Sequence, residues 1–451
     1  MPRRRLIIET TAAARQTCAA PCEGEFALLP HDIFAPAEIL LPAAGTDMEK
    51  WACLACDQFT SEPEYWRRAA DFVGDAPSCL SLVLPEVYLG QPDVAQRIGA
   101  IHAAMDRALK TTLTRRFTGF VYVRRQLACG VRRGLVGAVD LEAYSYRRGE
   151  QPLIRPTENT VESRIPPRLA VRRGAALECP HILMLLDDPG DTVLGPLEAA
   201  ADTLPLLYDT PLMLGGGRIE GRAVTDAARI SQAKAAVAAF AGRPGPGGRA
   251  PIAIAVGDGN HSLATAKAYW EELKPTLSPA ERENHPARWC LVELENIHDP
   301  ANLVEPIHRA VFGAGADELR AAMASFFAAR GARLHPGAPE AGGQQFTLLG
   351  AGADLPLALE NAPAPLAVGS IELFLADFLA ARPQARVDYI HGESSLRGLV
   401  QKGAAGLLLP PFDKADLFRG VYLGGVLPKK TFSMGHAEEK RYYLECRRIA
   451  R

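Results

Sequence analysis

The sequence predicts a mixed α/β or α+β protein, with mixed sheets flanked by helices and two or three lobes. Short apolar runs such as residues 182–186 and 252–256 have the length of buried strands, and stretches of helical period alternate with them. Gly/Pro-rich breaks at 242–248 and 336–343 separate these groups. A chain of 451 residues also exceeds the size at which a single hydrophobic core keeps growing, which is the reason to expect several lobes.

Residues 1–27 read as a leader. Residues 28–241 read as an N-terminal α/β lobe. Within it, strands are expected at 53–56, 81–84 and 120–124, with a helix at 98–109 before the last of these. A strand at 135–141 pairs with 120–124 across a turn at Gly130, and the buried strand 181–186 stops at Asp187-Asp188-Pro189-Gly190. Leu214-Gly215-Gly216-Gly217-Arg218 reads as a hairpin turn.

Residues 242–335 form the next expected unit, with a strand at 251–256, a glycine turn and a helix at 260–273. A strand at 289–294 and helices at 301–311 and 317–328 follow. The last unit, 336–451, has expected strands at 346–349, 387–390 and 407–409. Its expected helices lie at 371–379, 394–400 and 437–443.

The composition narrows the function classes. With 48% hydrophobic and 23% charged residues the chain is ordinary globular protein, neither disordered nor fibrous. Lys+Arg number 50 and Asp+Glu 52, a net charge of -2 with no block-sized basic excess, so nucleic acid is not the expected partner. No apolar run approaches the ~18–20 residues of a membrane helix, so no membrane partner is expected. Glu9, Arg15 and Glu23 interrupt the only stretch resembling a secretory signal, which makes the cytosol the expected compartment. Nine scattered cysteines do not form a disulfide framework. The pairs Cys18/Cys22 and Cys53/Cys56 have zinc-like spacing, but read as reduced thiols of the tail and core.

Chemistry concentrates in four segments. In the first, an apolar strand runs into Gly257-Asp258-Gly259-Asn260-His261-Ser262, where a helix opens. Such a turn aims unpaired N–H groups at an incoming anion, and the helix dipole favours negative charge there. Gly257 and Gly259 allow close approach, Asn260, His261 and Ser262 can add hydrogen bonds, and Asp258 can hold a magnesium ion, orient a hydroxyl or cap the helix. The Gly-Lys-Ser/Thr ending of a Walker A loop is missing.

The second segment, Cys56-Asp57-Gln58-Phe59-Thr60-Ser61-Glu62-Pro63, offers Asp57 or Glu62 as a general base toward a hydroxyl. The third, residues 155–168, contains Arg155, Thr157, Glu158 and Arg164, and its guanidinium groups suit phosphate or carboxylate. The fourth, Lys429-Lys430-Thr431-Phe432-Ser433, sets two lysines and two hydroxyls before a helix start, a pattern shared by anion sites and by exposed basic turns.

The strings ACDQFTSEPEYW, IRPTENTVESRIPPR, VGDGNHSLATAKA and LPKKTFSMGHAEEKRYYLE resemble the bacterial family catalogued as domain of unknown function 1015, from about Leu28 to Arg448. Asp258-Gly259-Asn260-His261-Ser262 stands where family members often carry Asp-Gly-His-His-Arg. That form is similar to the phosphate-binding turn of the ParB/sulfiredoxin superfamily, which includes free-serine kinases. The resemblance implies a ParB/sulfiredoxin-like turn that holds nucleotide phosphates. Ser262 replaces the superfamily's arginine, so a phosphate-binding cation must come from elsewhere; Arg155, Arg164, Lys429 and Lys430 are the candidates.

The expected function is therefore phosphoryl transfer to a small hydroxylated metabolite, with free L-serine the first candidate. The donor would be ATP, ADP or pyrophosphate, with Mg²⁺ at Asp258. Asp57 or Glu62 would take the hydroxyl proton, beside Asp258 and His261. The turn with Lys429 and Lys430 would bind phosphate, and Arg155, Thr157, Glu158 and Arg164 the acceptor. The alternative is a nucleotide-binding regulatory or partner-binding protein without turnover. A metal-dependent hydrolase using Asp258 and His261 would need a third ligand that the sequence does not supply.

Overall fold

The structure, a computed structural model, describes residues 32–411, 413–428 and 430–450, so the expected leader, with Cys18 and Cys22, lies outside the described residues. Among the described residues two large sheets carry the architecture. The first has ten strands. Its path runs Ile154–Pro156, Ile254–Asp258, Leu183–Leu186, Trp289–Asn296, Gly130–Asp140, Arg115–Leu127, Arg218–Val224 and Leu206–Pro211, with Phe34–Ala35 and Ala37–Leu41 added at the side. Neighbours are antiparallel except Ile154–Pro156 with Ile254–Asp258 and Leu183–Leu186 with Trp289–Asn296.

Both faces of its central strands are buried, which is why Leu183–Leu186 and residues 254–256 read as continuous apolar runs. Phe120 and Tyr122 face one core with Leu263 and Trp270, while Val121 and Val123 face the other with Trp51, Trp66 and Tyr442. The expected hairpin forms with Leu127 opposite Gly130 and Val121 opposite Val136.

The second sheet is antiparallel and runs Arg333–Pro336, Leu355–Glu360, Gln344–Leu349, Ala405–Leu408, Val304–Phe312 and Arg386–His391. Helices Ala316–Ala328 and Ala367–Ala381 cover it through Phe326, Phe327, Phe374 and Phe378. Phe432–Met434 pairs with the start of Val304–Phe312, after which the chain returns to the first lobe. There Tyr442–Tyr443 pairs with Cys53–Leu54, and Arg447–Arg448 with Leu177–Glu178. The sheets therefore divide near residues 297–303, and the expected unit 242–335 is shared between them.

Three expected elements are corrected. Residues 301–311 form the strand Val304–Phe312 rather than a helix, because Pro306 cannot sit inside a helix and pairing with Arg386–His391 and Ala405–Leu408 wins. Residues 81–84 do not form a strand: Ser78 accepts from the Leu80 N–H at 3.2 Å and caps a single 3-10 turn, Cys79–Leu82. The expected helix at 437–443 is one 3-10 turn, Ala437–Glu439, closed by a His436/Glu439 capping box and followed by the strand Tyr442–Tyr443. Among the described residues no helix is long and apolar enough to cross a membrane.

Candidate functional site

Ile254, Ala255 and Val256 are fully buried and carry the chain through the sheet to its edge. The ladder with Leu183–Leu186 slips between Val256 and Asp258, so Gly257 bulges. A Cβ there would stand 2.8 Å from Met434 Sδ and 2.9 Å from Leu185 Cγ. Gly259 then takes φ 81°, a left-handed conformation, and begins the helix Asn260–Leu273, which has the expected bounds. No side chain caps this helix. Asp258 Oδ1 accepts from the Gly259 N–H at 3.0 Å, which fixes the carboxylate beside the helix start.

The turn opens on a cavity of about 790 Å³ lying between the first lobe and the second sheet. The structure brings most of the candidate residues to its wall. Gly257, Asp258, Gly259, Asn260, His261 and Ser262 line it together with Asp57, Glu158, Arg164 and Lys430. Ile307 and His391 reach it from the second sheet.

Other candidates are placed elsewhere. Glu62 is exposed at the start of the helix Pro63–Val73 and is absent from the cavity wall. Arg155 is buried, and its guanidinium donates to the carbonyls of Pro152, Ala250 and Pro251 at 2.9, 3.0 and 3.3 Å, so it is not a cavity cation. Thr157 is buried behind the turn, where its Oγ1 donates to the Val256 carbonyl at 2.6 Å; its role is to hold the strand. Lys429 lies outside the described residues.

Five side chains that the sequence reading did not single out complete the site. Lys440 is 8% exposed, and its Nζ stands 3.1 Å from Asp258 Oδ2. Burial alone would raise the Asp258 carboxyl, but the Lys440 ammonium and the Gly259 N–H hold it below the ordinary range. His181 Nε2 lies 2.8 Å from Ser262 Oγ and 3.7 Å from Asp57 Oδ2, and its Nδ1 is 2.8 Å from the Tyr443 hydroxyl. The Tyr443 hydroxyl also accepts from the Cys56 N–H at 3.2 Å, so it ties His181 to the segment that carries Asp57. Arg168 forks onto Glu86 with Nε 2.6 Å from Oε1 and Nη2 on Oε2. None of these had a local signal, because each is defined by a partner distant in the chain.

The cations set the potential of the cavity. Burial and the charges of Arg164, Arg168 and Lys430 depress His261 to about 4, so its imidazole is neutral; Nε2 accepts from the Val161 N–H at 3.2 Å. Burial raises the Glu158 carboxyl despite Lys430, whose N–H donates to Oε1 at 3.1 Å, and the Asp258 charge raises it further. Asn260 Oδ1 is buried with no hydrogen-bond partner, in the same turn as Asp258. An orphaned oxygen in the same turn as a carboxylate is a pair of donors suited to a hard, oxygen-seeking cation. The set is open: among the described residues no trio of His, Asp and Glu donors is gathered here within 4.8 Å, whereas Mg²⁺ keeps several waters and uses few protein ligands.

The model of the family described as "Protein of unknown function (DUF1015)" matches residues 40–448. No curated protein matches the chain. Among solved structures the chain is similar to a free serine kinase in complex with AMP, at TM-score 0.35 and 11% identity, over 68% of this chain and 86% of that one. It is similar to a conserved hypothetical protein from Pyrococcus furiosus at TM-score 0.34 and 12% identity, over 69% of this chain and 94% of that one. SbnI with C-terminal truncation from Staphylococcus aureus follows at TM-score 0.32 and 10% identity, over 66% and 81%.

Proposed function

The chain belongs to the family of proteins of unknown function DUF1015, and we propose that it is a phosphotransferase acting on a small hydroxylated metabolite, with free L-serine the first acceptor to test. The observation that carries this reading is the meeting of four polar segments, far apart in the chain, at one cavity around an uncapped helix N-terminus. Phosphoryl transfer asks a protein for position and charge neutralisation more than for covalent chemistry. Here those are supplied by the first-turn amides with Lys430 and Lys440 toward the donor, and by Arg164 toward the acceptor.

In this reading the donor phosphates, from ATP, ADP or pyrophosphate, rest against the turn from Gly257 to Ser262. Asp258 and Asn260 would hold Mg²⁺, which supplies neutralising charge to the donor phosphates. Asp57 takes the proton of the acceptor hydroxyl as its oxygen bonds to phosphorus, while the bond to the leaving phosphate oxygen breaks. His181 positions Ser262 and Asp57 on the same side of the cavity. Lys430 adds positive charge beside the donor phosphates, and Arg164 binds the acceptor carboxylate.

The test is a turnover screen of amino acids and other hydroxylated metabolites with ATP, ADP and pyrophosphate, run beside Asp258→Ala. Transfer to at least one acceptor is expected, with Asp258→Ala reduced by at least ~100-fold at unchanged circular dichroism. Nucleotide binding by calorimetry without transfer to any acceptor would replace the enzyme reading by that of a nucleotide-binding regulator.

A further inference from the structure

Behind His181 and Tyr443, outside the cavity, three thiols from remote parts of the chain come together. The Sγ atoms of Cys79, Cys179 and Cys446 all lie within 4.8 Å of one another, and those of Cys179 and Cys446 are 3.4 Å apart. The fold holds them there. Cys79 begins the 3-10 turn that Ser78 caps. The ladder that pairs Arg447 with Glu178 and Arg448 with Leu177 sets Cys446 opposite Cys179. Cys446 is pinned from its other side, exchanging backbone hydrogen bonds with Leu40 at 2.8 and 2.9 Å.

We propose that Cys79, Cys179 and Cys446 form a binding site for a thiophilic d10 cation, Zn²⁺ or Cu⁺. Metal–sulfur bonds of about 2.3 Å in tetrahedral geometry set sulfurs about 3.8 Å apart, so the observed spacing needs adjustments below about 1 Å. Thiolate is the ligand type that selects these ions over magnesium or calcium. Cys79 and Cys446 are fully buried, whereas Cys179 is partly exposed and lines a cavity of about 150 Å³ shared with Cys56 and His181. That cavity provides the entry path and room for a water or exogenous fourth ligand.

The electrostatics agree with the geometry. Hydrogen bonds from Cys446 and Cys79 push Cys179 toward the thiolate. Cys79, chiefly through burial, and Cys446, chiefly through its hydrogen bond to Cys179, stay thiols. Glu178, whose charge acts on Cys179, is paired with Arg172 at 2.6 Å and Arg447 at 2.8 Å. A bound cation would displace the remaining thiol protons to solvent and offset part of the negative charge of the thiolates.

The whole chain, reduced and stripped of metal with a chelator, is titrated separately with Zn²⁺ and Cu⁺ against competing chromophoric chelators, and with Co²⁺ for its thiolate charge-transfer band. One equivalent of Zn²⁺ or Cu⁺ per chain is expected. Cys79→Ser and Cys446→Ser should each weaken binding by more than the ~10–100-fold that loss of an outer partner costs, while Cys129→Ser, an exposed cysteine, leaves it unchanged. Differential alkylation of the wild-type chain gives a readout independent of variant folding. Metal should slow modification of Cys79, Cys179 and Cys446 and not of Cys129. Absence of stoichiometric binding tighter than about 1 µM, or protection of other cysteines instead, would overturn the assignment.

Discussion

His261 occupies the second position of the turn helix with its imidazole surrounded by Arg164, Arg168 and Lys430, a setting that disfavours a further positive charge. In the unfolded chain it takes up a proton below its ordinary value of 6.5, whereas in the folded chain it does so only near 4. The stability contributed by the neutral ring is therefore present above pH 6.5 and lost as pH falls from there to about 4. Urea unfolding at about pH 7 and about pH 4.5 should show His261→Gln losing less stability on acidification than the wild type; equal losses would contradict this. Residues of this turn were legible because glycines and short polar groups between an apolar strand and a helical period have a local cause. Lys440 was not, since Glu438-Glu439-Lys440-Arg441 has the composition of an exposed helix, and only Asp258, brought up by the first sheet, gives the lysine its place.

The strand–turn–helix unit depends on two glycines for different reasons. Gly257 leaves room for Met434, which the strand Phe432–Met434 brings across the bulge, and Gly259 adopts a conformation in which a side chain would also meet Ile182 Cα at 3.1 Å. Gly259→Ala is expected to cost about 1–2 kcal/mol of stability and to weaken anion binding, measured by denaturant unfolding and calorimetry. A variant as stable as the wild type with unchanged affinity would show that the left-handed turn does not shape the site. Elements of this kind, with strong periodicity and a glycine stop, followed from sequence, as did the hairpin around Gly130 and the helices Ala316–Ala328 and Glu393–Val400. Val304–Phe312 did not: its apolar residues suit either period, Pro306 was the one local signal against a helix, and its pairing partners are two strands supplied later in the chain.

At the scale of the molecule, the segment after Phe432 joins the lobes and closes the cavity. Arg441 is 1% exposed and contacts Glu293 at 3.0 Å and Glu445, while the Arg125 and Arg132 guanidinium groups donate to the carbonyls of Lys440 and Glu439 at 3.3 and 3.0 Å. Removing the charge of Arg441 would strand two buried carboxylates, so Arg441→Met is expected to destabilise the fold by about 3–5 kcal/mol, read by urea unfolding, and to release Lys440 from Asp258. A change below about 1 kcal/mol would mean that the return segment is held by its strands alone. This closure explains why the whole site was less legible than its parts: four recognisable strings marked the residues, but their common cavity depends on the chain end returning to the first sheet. The most direct test of that cavity is a crystal structure of the whole chain with ADP or pyrophosphate bound at saturating concentration. A phosphate group is expected within hydrogen-bond distance of the first-turn amides of Asn260–Leu273, with Lys430 or Lys440 reaching it. Phosphate bound elsewhere, or a turn left empty at saturation, would contradict it.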